Sequence, residues 1–257
     1  MTAETVRIDI ISIFPDLVRH WFAQGVVGRA LQKNDAPPAT LHYWNPREYS
    51  NDRHQRIDDR PFGGGPGMVM QYEPLARVAN AINAGDNKPL HLYLSPQGST
   101  FDHTLAAALA HKPRIALWCG RYEGIDQRFI DEYIDVEISI GDFVLSGGEI
   151  AAAIIIDAVL RLVPGVLGDE KSAQEDSFQQ KLLDHPHYTR PENIATIHVP
   201  EILLSGNHAL IERWRLKQAL GRTFLHRPDI FCRLDLSDAQ QKLLNEFLTE
   251  QQFGEPS

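Results

Sequence analysis

Cysteine is scarce in this sequence, and so are the long apolar runs that membrane insertion requires. Only two cysteines occur, Cys119 and Cys232, without a paired CxxC spacing, which argues against a disulfide framework or a zinc knuckle. The N-terminal stretch lacks a basic start followed by a long apolar segment, and the apolar run from Ile150 is interrupted by Asp157. We therefore expect neither secretion nor membrane insertion, and a reducing cytoplasm suits the chain.

Basic residues are outnumbered, since 25 Lys and Arg stand against 34 Asp and Glu and the net charge is −9. This balance disfavours a protein that is coated with nucleic acid over its whole surface. One stretch differs, because residues 201–233 carry six Lys or Arg against three Asp or Glu. A local basic face on an acidic chain can still bind RNA, so RNA binding stays open for the C-terminal part.

Short β-rich runs alternate with helical patterns in the N-terminal portion. Each run is followed by turn residues or an amphipathic segment; the runs are RIDIISIF, LHYW, PLHLYLS, RIALWCG and YIDVEISIG. This order predicts an α/β fold with a largely parallel sheet. With 257 residues, 43% of them hydrophobic, the chain can bury one large core or two modest ones.

The C-terminal portion has a different pattern. An apolar helix is predicted from Gly148 to Pro164-Gly165, and the polar segment GDEKSAQEDS that follows resembles a linker. Beyond it the sequence is helical and basic, with Trp214 as a core residue, and it ends in the amphipathic run SDAQQKLLNEFL. We predict one domain over residues 1–167, a flexible linker over residues 168–183 and a helical domain over residues 184–257.

The segment SIGDFVLSGGE contains three glycines directly before the predicted apolar helix. A glycine turn that leads into a helix usually binds a phosphate. Here no Lys or Arg occurs between Phe129 and Leu160, whereas seven residues in that interval are acidic. A neutral or cationic ligand therefore fits better than a phosphate. The alternative is a tight strand-to-helix turn whose glycines only permit positive φ angles.

The segment GGGPG, residues 63–67, contains the spacing GxGxG that occurs in Rossmann nucleotide sites. The charged stretch before it ends in Pro61, so no buried strand leads into the turn, and no Lys-Ser/Thr follows as in a P-loop. We predict a flexible or substrate-contacting loop. Arg53, Arg56 and Arg60 alternate with aspartates nearby, which is typical of a solvated face but also compatible with RNA contact.

Two more segments, LSPQG and CGRYEG, each follow an apolar strand with a turn. In α/β proteins the ligand lies at the carboxyl edge of the sheet, so with SIGDFVLSGGE these segments give three loops at one edge. Any βα repeat needs such turns, and only their convergence indicates a site.

Two polar features in the C-terminal part have ambiguous roles. Asp176 falls in the polar linker, where a carboxylate is solvated by default. Arg213 and Lys217, four residues apart, share one face of a predicted helix. That face either binds phosphates or is simply solvated.

Eight segments, in this order along the chain, resemble those of the bacterial tRNA (guanine-N1)-methyltransferase family: GGGPGM, LSPQG, CGRYEGID, SIGDFVLSGGE, IDAVLRLVPGVLG, EDSF, PHYTRP and WRLKQ. The resemblance covers nearly the whole chain, and the set is specific although GGGPG alone is not. It implies an S-adenosylmethionine-dependent enzyme of the SPOUT class, with a trefoil-knotted parallel sheet, flanking helices and a small all-helical C-terminal domain. A small departure is His185, which precedes PHYTRP where some relatives have Cys.

The resemblance also implies roles for individual residues. Asp176 matches the family's general base, which removes the N1 proton of guanine, and Arg161 matches the group that stabilises the charge left on O6. Asp184, Arg213 and Lys217 are predicted to bind the substrate. The implied contacts to S-adenosylmethionine are Tyr93, Leu94, Ser95, Pro96, Gly120, Tyr122, Glu123, Ser139, Ile140, Gly141, Leu145, Gly147 and Gly148.

The substrate implied by the resemblance is the guanosine immediately 3′ of the anticodon in tRNA. The family resemblance further implies a homodimer, in which the linker of one subunit closes over the cofactor of the other, and a requirement for Mg²⁺. The sequence itself shows no metal-ligand pattern that can be assigned independently of the resemblance.

Two other functions stay open at this point. A non-catalytic RNA-binding protein needs the basic C-terminal half but no intact cofactor pocket, and a SPOUT methyltransferase of other specificity keeps the pocket but loses the linker acid. If the glycines admit a cofactor, alanine at Gly141 or Gly148 is expected to weaken its binding while the fold stays intact.

Overall fold

The computed structural model describes residues 5–33, 36–85, 87–168, 176–178 and 181–253. The chain divides into two compact units, residues 1–170 and 171–257. Most of the predicted linker lies outside the described residues, namely 169–175, 179 and 180. No helix within the described ranges is long and apolar enough to cross a membrane.

The first unit is built on a parallel sheet. Its described part contains seven strands, numbered in chain order: β1 (Val6–Ile11), β2 (Ala39–Trp44), β3 (Asp58–Asp59), β4 (Val69–Met70), β5 (Leu90–Thr100), β6 (Arg114–Cys119) and β7 (Val136–Ser139). Five of them pair in parallel in the order β2-β1-β6-β5-β7. These five are the runs that the sequence predicts as strands, so the α/β fold with a parallel sheet is confirmed.

Helices cover both faces of this sheet. Those described in the first unit are α1 (Pro15–Trp21), α2 (Gly25–Leu31), α3 (Tyr72–Asn83), α4 (His103–Ala110), α5 (Gln127–Tyr133) and α6 (Gly148–Leu160). Successive residues of β6 point to opposite faces, since Leu117 belongs to the core with α6 and Trp118 to the core with α3 and α5. Burial on both faces explains why the strands are nearly continuous apolar runs.

A buried carboxylate joins the three strands at the centre and edge of the sheet. Asp9 of β1 is fully buried and accepts hydrogen bonds from Arg7, from Trp44 Nε1 at 2.8 Å and from Arg114 Nε at 2.7 Å. Burial alone would raise the pKa of Asp9, but the hydrogen bonds from Arg7, Arg114 and Trp44 bring its pKa below the usual value. A paired, hydrogen-bonded charge can therefore occupy the middle of an apolar strand.

The apolar helix is shorter than predicted. Helix α6 ends at Leu160, and the chain continues to Pro164 as turns in which Leu162 N donates to Val159 O and Val163 N to Leu160 O. The residue before a proline is disfavoured in the α region, so the chain leaves the helix before Pro164 rather than at it.

The GGGPG segment connects two very short strands. Strands β3 and β4 pair in an antiparallel hairpin, and the connection has positive φ angles at Gly63, Gly64, Gly65 and Gly67. Neither residue of β3 is buried, in agreement with the prediction that no buried strand leads into this loop. After the loop, Met70 N donates to Gly124 O, which ties β4 to the segment that follows β6.

The second unit is helical but not entirely so. Its described elements are β8 (Asn193–Ile194), β9 (Ile197–His198), α7 (Glu201–Leu204), α8 (His208–His226), α9 (Pro228–Phe231) and α10 (Asp238–Phe253). The prediction of an all-helical domain was wrong here, because β8 and β9 form a two-stranded antiparallel hairpin. Its two-residue turn places Ala195 at φ 54°. Such turns usually contain Gly, Asn or Asp at positive φ, so an alanine here does not predict a hairpin.

Helices α8 and α10 pack closely in the second unit. A Cβ atom on Gly221 of α8 would lie 2.2 Å from the ring of Phe247 on α10, so the glycine makes room for the aromatic ring. Trp214 is buried, as predicted.

Two ion pairs also link α8 to α10. Lys217 Nζ donates to both carboxylate oxygens of Glu250 at 2.6 Å, and Arg213 Nη2 contacts Glu246 at 2.6 Å. The Lys217 side chain is only 11% exposed, whereas half of the Arg213 side chain is exposed. The two pairs therefore differ in how readily water can replace the partner.

Removing the two glutamates should have unequal effects on stability. We expect Glu250→Ala to lower the free energy of unfolding by about 1–3 kcal/mol, because it leaves a buried ammonium unpaired. Glu246→Ala, the matched control on the same helix, should cost at most about 1 kcal/mol, as is usual for exposed pairs. Urea unfolding followed by circular dichroism measures both, and equal losses would contradict this account.

Candidate functional site

A cavity of about 260 Å³ lies at the carboxyl ends of β5, β6 and β7. It is lined by all thirteen residues that were predicted to contact the cofactor: Tyr93, Leu94, Ser95, Pro96, Gly120, Tyr122, Glu123, Ser139, Ile140, Gly141, Leu145, Gly147 and Gly148. The structure thus brings the three predicted segments to one place. Their role toward a cofactor stays a prediction.

The LSPQG segment differs from its predicted form. It does not end its strand but lies inside β5, where the pairing with β7 breaks between Leu94 and Ser99, both of which face Ile138. A Cβ atom on Gly98 would lie 2.3 Å from the backbone of Glu137, so glycine lets the two strands touch. The segment is a bulge-like irregularity of β5, and its residues Leu94, Ser95 and Pro96 line the cavity.

Tyr93 forms one wall of the cavity. Its side chain is almost fully buried, and burial, aided by the nearby charge of Glu137, raises the pKa of its hydroxyl. The ring packs on Gly120, since a Cβ atom there would lie 2.9 Å from Tyr93 Oη. The glycine that follows β6 therefore keeps space for an aromatic wall.

The CGRYEG segment connects the cavity to the GGGPG loop. Tyr122 has a φ of 60°, which is uncommon for a residue with a side chain and is frequent at functional sites. Glu123 N donates to Met68 O, and Gly67, at φ 80°, leaves room for the Glu123 side chain. The GGGPG loop thus supports this wall, a relation that spacing in the sequence does not reveal.

The glycines of SIGDFVLSGGE have two different tasks. Gly141 has a φ of 144°, a conformation that residues with a Cβ atom rarely adopt. A Cβ atom on Gly148 would lie 2.7 Å from Cα of Cys119, so it is the protein's own backbone that approaches this glycine. Alanine at Gly141 or Gly148 should therefore destabilise the protein, because the first strains the backbone and the second meets β6; whether the fold stays intact remains a prediction.

Glu149, at the start of α6, is a buried anion that connects three segments around the cavity. It is 2% exposed, accepts a hydrogen bond from Ser12 Oγ at 2.6 Å and one from Arg121 Nε at 2.9 Å. Arg121 also donates to Ser146 O at 3.0 Å. The end of β1, the loop after β6 and the start of α6 are joined through one carboxylate.

The neighbourhood of Glu149 also determines the local electrostatics. Cys119 is fully buried beside it, and burial, followed by the Glu149 charge, raises the pKa of the thiol well above its usual value. Arg121 is a basic residue of the cavity wall, but its guanidinium is already paired with Glu149. The wall therefore presents no uncompensated arginine at this position, in line with a neutral or cationic ligand.

The sequence prediction missed several residues of the cavity wall. Besides Arg121, these include Gly124 and the exposed side chains of Phe143 and Val144. Phe143 and Val144 lie within SIGDFVLSGGE itself, between the predicted contacts Gly141 and Leu145, and this position in the loop is the signal that could have identified them.

The two predicted catalytic residues belong to different units. Arg161 lies in the first unit, directly after α6, and is half-buried. Asp176 lies in the second unit, exposed, in a cavity of about 110 Å³ whose wall also includes Asp184, His185, Glu212 and Arg215. The structure thus brings the predicted base together with Asp184, one of the predicted substrate contacts.

The other predicted substrate contacts, Arg213 and Lys217, do share one helical face. That face packs on α10, and the ion pairs with Glu246 and Glu250 already compensate both charges. Phosphate binding by these residues stays a prediction, and it now requires that a phosphate compete with a glutamate.

In its fold, the first unit is an α/β protein with a cavity at the carboxyl edge of a parallel sheet, which is where α/β proteins usually bind their ligands. Residues 6–233 match the family described as tRNA (Guanine-1)-methyltransferase TrmD. The chain belongs to this family, and the resemblance predicted from the eight segments is confirmed.

Relatives cover almost the whole chain. The tRNA (guanine-N(1)-)-methyltransferase of Halorhodospira halophila is 52% identical over 250 residues, which is 97% of this chain and 94% of the relative. That of Idiomarina loihiensis is 50% identical over 252 residues, 97% of this chain and 98% of the relative. That of Xylella fastidiosa is 52% identical over 244 residues, which is 94% of this chain and 92% of the relative.

The role of Glu149 can be tested by an isosteric change. In Glu149→Gln, a neutral amide replaces the carboxylate that accepts hydrogen bonds from Ser12 and Arg121. One of its two ends is an NH₂ group, which cannot accept, and the guanidinium of Arg121 loses its anionic partner. We expect a loss of about 3–5 kcal/mol in the free energy of unfolding, as for other broken buried pairs. The control Glu73→Gln, which removes an exposed pair with Arg77, should change it by less than about 1 kcal/mol. Thermal and urea unfolding measure the free energy of unfolding of both variants. If Glu149→Gln is as stable as the wild type, Glu149 does not stabilise the cavity wall.

Proposed function

We propose that the protein transfers a methyl group from S-adenosylmethionine to N1 of the guanosine immediately 3′ of the anticodon in tRNA. The observation that carries this proposal is the cavity whose wall contains all thirteen predicted cofactor residues, in a chain that belongs to the tRNA (guanine-1)-methyltransferase family. The relatives named above are tRNA (guanine-N(1)-)-methyltransferases, which supports tRNA as the substrate.

The cavity wall fits S-adenosylmethionine in chemical character. Leu94, Ile140 and Leu145 provide apolar surface for an adenine ring, while the loop backbones provide donors and acceptors for its polar edge. Glu123 lies in the wall, and Arg121 is paired with Glu149, so a sulfonium cation meets no free guanidinium at that position. The bound cofactor supplies an electrophilic methyl group.

Asp176 acts as the general base in this proposal. Guanine N1 carries a proton at neutral pH and is a poor nucleophile until that proton is removed. An exposed carboxylate can accept it within hydrogen-bond reach of a bound base. Asp184, in the wall of the same cavity, accepts hydrogen bonds and would hold the guanosine in place.

Arg161 stabilises the charge that develops. Removing the N1 proton leaves negative charge shared with O6 of guanine, and a guanidinium lowers the energy of that state. The half-buried position of Arg161 directly after α6 strengthens such an interaction, because partial exclusion of water reduces screening.

The domain division follows from this assignment. Residues 1–167 would bind the cofactor, residues 168–183 would form a flexible linker, and residues 184–257 would bind tRNA, with Arg213 and Lys217 among the contacts. A trefoil knot of the SPOUT type is part of the proposal. Membership of the family supports it.

A homodimer with its active site at the subunit interface completes the proposal. Large apolar side chains are exposed on two helices that contact each other: Phe14, Leu17 and Trp21 at and within α1, and Ile150 and Ile154 on α6. Trp21 is 67% exposed. A contiguous apolar surface of this kind usually marks an interaction site. Because tRNA is the substrate, we place the enzyme in the cytoplasm.

Mg²⁺, which the family resemblance implies, finds no group of three carboxylates among the described residues. The cluster there that could hold a metal ion consists of Asp184, His185 and His187. Mg²⁺ prefers oxygen ligands and retains several waters, whereas two of these three ligands are imidazoles. No step of the proposed reaction is therefore assigned to Mg²⁺.

Cofactor binding can be tested at Gly120, where an added Cβ atom would meet the Tyr93 side chain rather than the backbone. Gly120→Ala would place a methyl group 2.9 Å from Tyr93 Oη and displace that wall, without meeting backbone. Because the displaced Tyr93 wall no longer matches the bound cofactor, the Kd for S-adenosylmethionine should rise by roughly ten-fold, which corresponds to about 1.4 kcal/mol of binding free energy. Titration calorimetry measures it, with Gly168→Ala as control because nothing lies within 4 Å of a Cβ atom there. Unchanged affinity in Gly120→Ala would count against this cavity as the cofactor site.

The general base can be tested by Asp176→Asn. The amide keeps the size of the side chain but cannot accept the N1 proton, so binding should survive while methyl transfer slows by about 10²–10⁴-fold. Single-turnover transfer with saturating tRNA and cofactor, with the product nucleoside identified by mass spectrometry, separates chemistry from binding. The control is Glu175→Gln in the same segment. A near wild-type rate for Asp176→Asn, or an equal loss for the control, would show that Asp176 is not the base.

A further inference from the structure

We propose that Asp184, His185 and His187 form a binding site for a transition-metal ion of the Zn²⁺ type. The three side chains converge in the second unit, and one ligand atom from each lies within 4.8 Å of the others. Asp184 Oδ2 is 2.9 Å from His187 Nε2, and Asp184 Oδ1 is 3.7 Å from His185 Nε2. Ligands that share one metal at about 2.0–2.2 Å are separated by similar distances.

The tautomer of His185 favours this role. Its Nδ1 lies 3.1 Å from the carbonyl oxygen of Pro186, and since a carbonyl can only accept, Nδ1 carries the hydrogen. In the neutral ring Nε2 then has a free lone pair, and its neighbour at 3.7 Å is a carboxylate oxygen, which is also an acceptor. Histidines that bind metals commonly donate the other ring N–H to a backbone carbonyl in this way.

Two of the three ligands are held in place before any ion binds. Asp184 Oδ1 accepts a hydrogen bond from the backbone N–H of His185 at 2.7 Å, and Asp184 N donates to Ser177 Oγ at 2.9 Å. The ring of His185 is only 12% exposed and lies 6.3 Å from the ring of Trp214. Because these groups are already ordered, binding costs less conformational entropy.

His187 is the adjustable ligand. Its side chain is 70% exposed, and in the neutral ring its Nε2–H donates to Asp184. Moving that hydrogen to Nδ1, which is a tautomeric change without net loss of a proton, frees Nε2 for a metal ion. One carboxylate and two imidazoles leave a further position for water, as in open zinc sites.

The ligand types select the class of ion. Imidazole binds Zn²⁺, Ni²⁺, Co²⁺ and Cu²⁺ well, whereas Mg²⁺ and Ca²⁺ prefer oxygen ligands. A bound ion would occupy Asp184, which the proposed function assigns to the guanosine, so such ions should inhibit methyl transfer by competing with tRNA. The binding site itself does not depend on that assignment.

Metal binding by the full-length protein tests the inference. Co²⁺ serves as the spectroscopic probe and Zn²⁺ as its competitor, with calorimetry for stoichiometry, at a pH at which histidines are neutral. We expect one site per chain, visible d–d absorption that Zn²⁺ abolishes, and no displacement by millimolar concentrations of Mg²⁺, on the order of 1,000 times those of Co²⁺.

Matched variants decide between a built site and scattered surface histidines. His185→Ala and His187→Ala should each weaken Co²⁺ binding at least about ten-fold, whereas His198→Ala and His226→Ala, which change exposed histidines outside the cluster, should not. Circular dichroism checks that each variant is folded, and His187→Ala, at an exposed position, provides the test even if His185→Ala is unstable. Binding that is unaffected by His187→Ala, or weakened equally by the controls, would overturn the inference.

Discussion

The carboxylate of Glu149 is the interaction on which the cavity of the first unit depends. A buried anion is stable only when it is paired and hydrogen-bonded, and Ser12 and Arg121 together meet this requirement. Since these residues come from segments 137 and 28 positions away, the contact fixes three parts of the chain at once. It also neutralises a guanidinium in the cavity wall, so the same carboxylate determines both the shape of the cavity and its charge.

Close contact between backbone segments is the second constraint. Gly98 lies against β7 and Gly148 against the end of β6, at distances where no Cβ atom fits. A glycine in a predicted ligand loop can therefore serve the packing of the protein rather than the approach of a ligand. A loss of cofactor affinity in a variant of such a glycine has to be compared with its loss of stability before it is attributed to the site.

The sequence predicts most of the sheet and the meeting of three loops at one of its edges, because both depend on local patterns. Five apolar runs bounded by turns become the five parallel strands, and the segments that follow three of them meet at the carboxyl edge. The eight segments that carry the family resemblance supply residue roles that periodicity could not. The bulge at Gly98 was not predictable, since it depends on which strand lies beside β5.

The other misses have two causes, long-range pairing and local backbone conformation. Arg213 and Lys217 were placed correctly on one helical face, but their partners Glu246 and Glu250 lie 33 residues further along the chain. The Asp184, His185 and His187 cluster is local in sequence, yet only the hydrogen bond to Pro186 O shows which nitrogen of His185 is free. The hairpin of β8 and β9 depends on a left-handed alanine, which propensity does not favour.

The burial of Cys119 has a practical consequence for labelling. Alkylating reagents react with the thiolate form of cysteine. Because Cys119 is buried and its pKa is raised, almost none of it is thiolate at neutral pH. The remaining cysteine, Cys232, is exposed between α9 and α10. A maleimide fluorophore or spin label should therefore attach to the wild-type chain at one position, in the second unit, without prior removal of native cysteines. Such a probe reports on the surroundings of Cys232 in an otherwise unaltered protein.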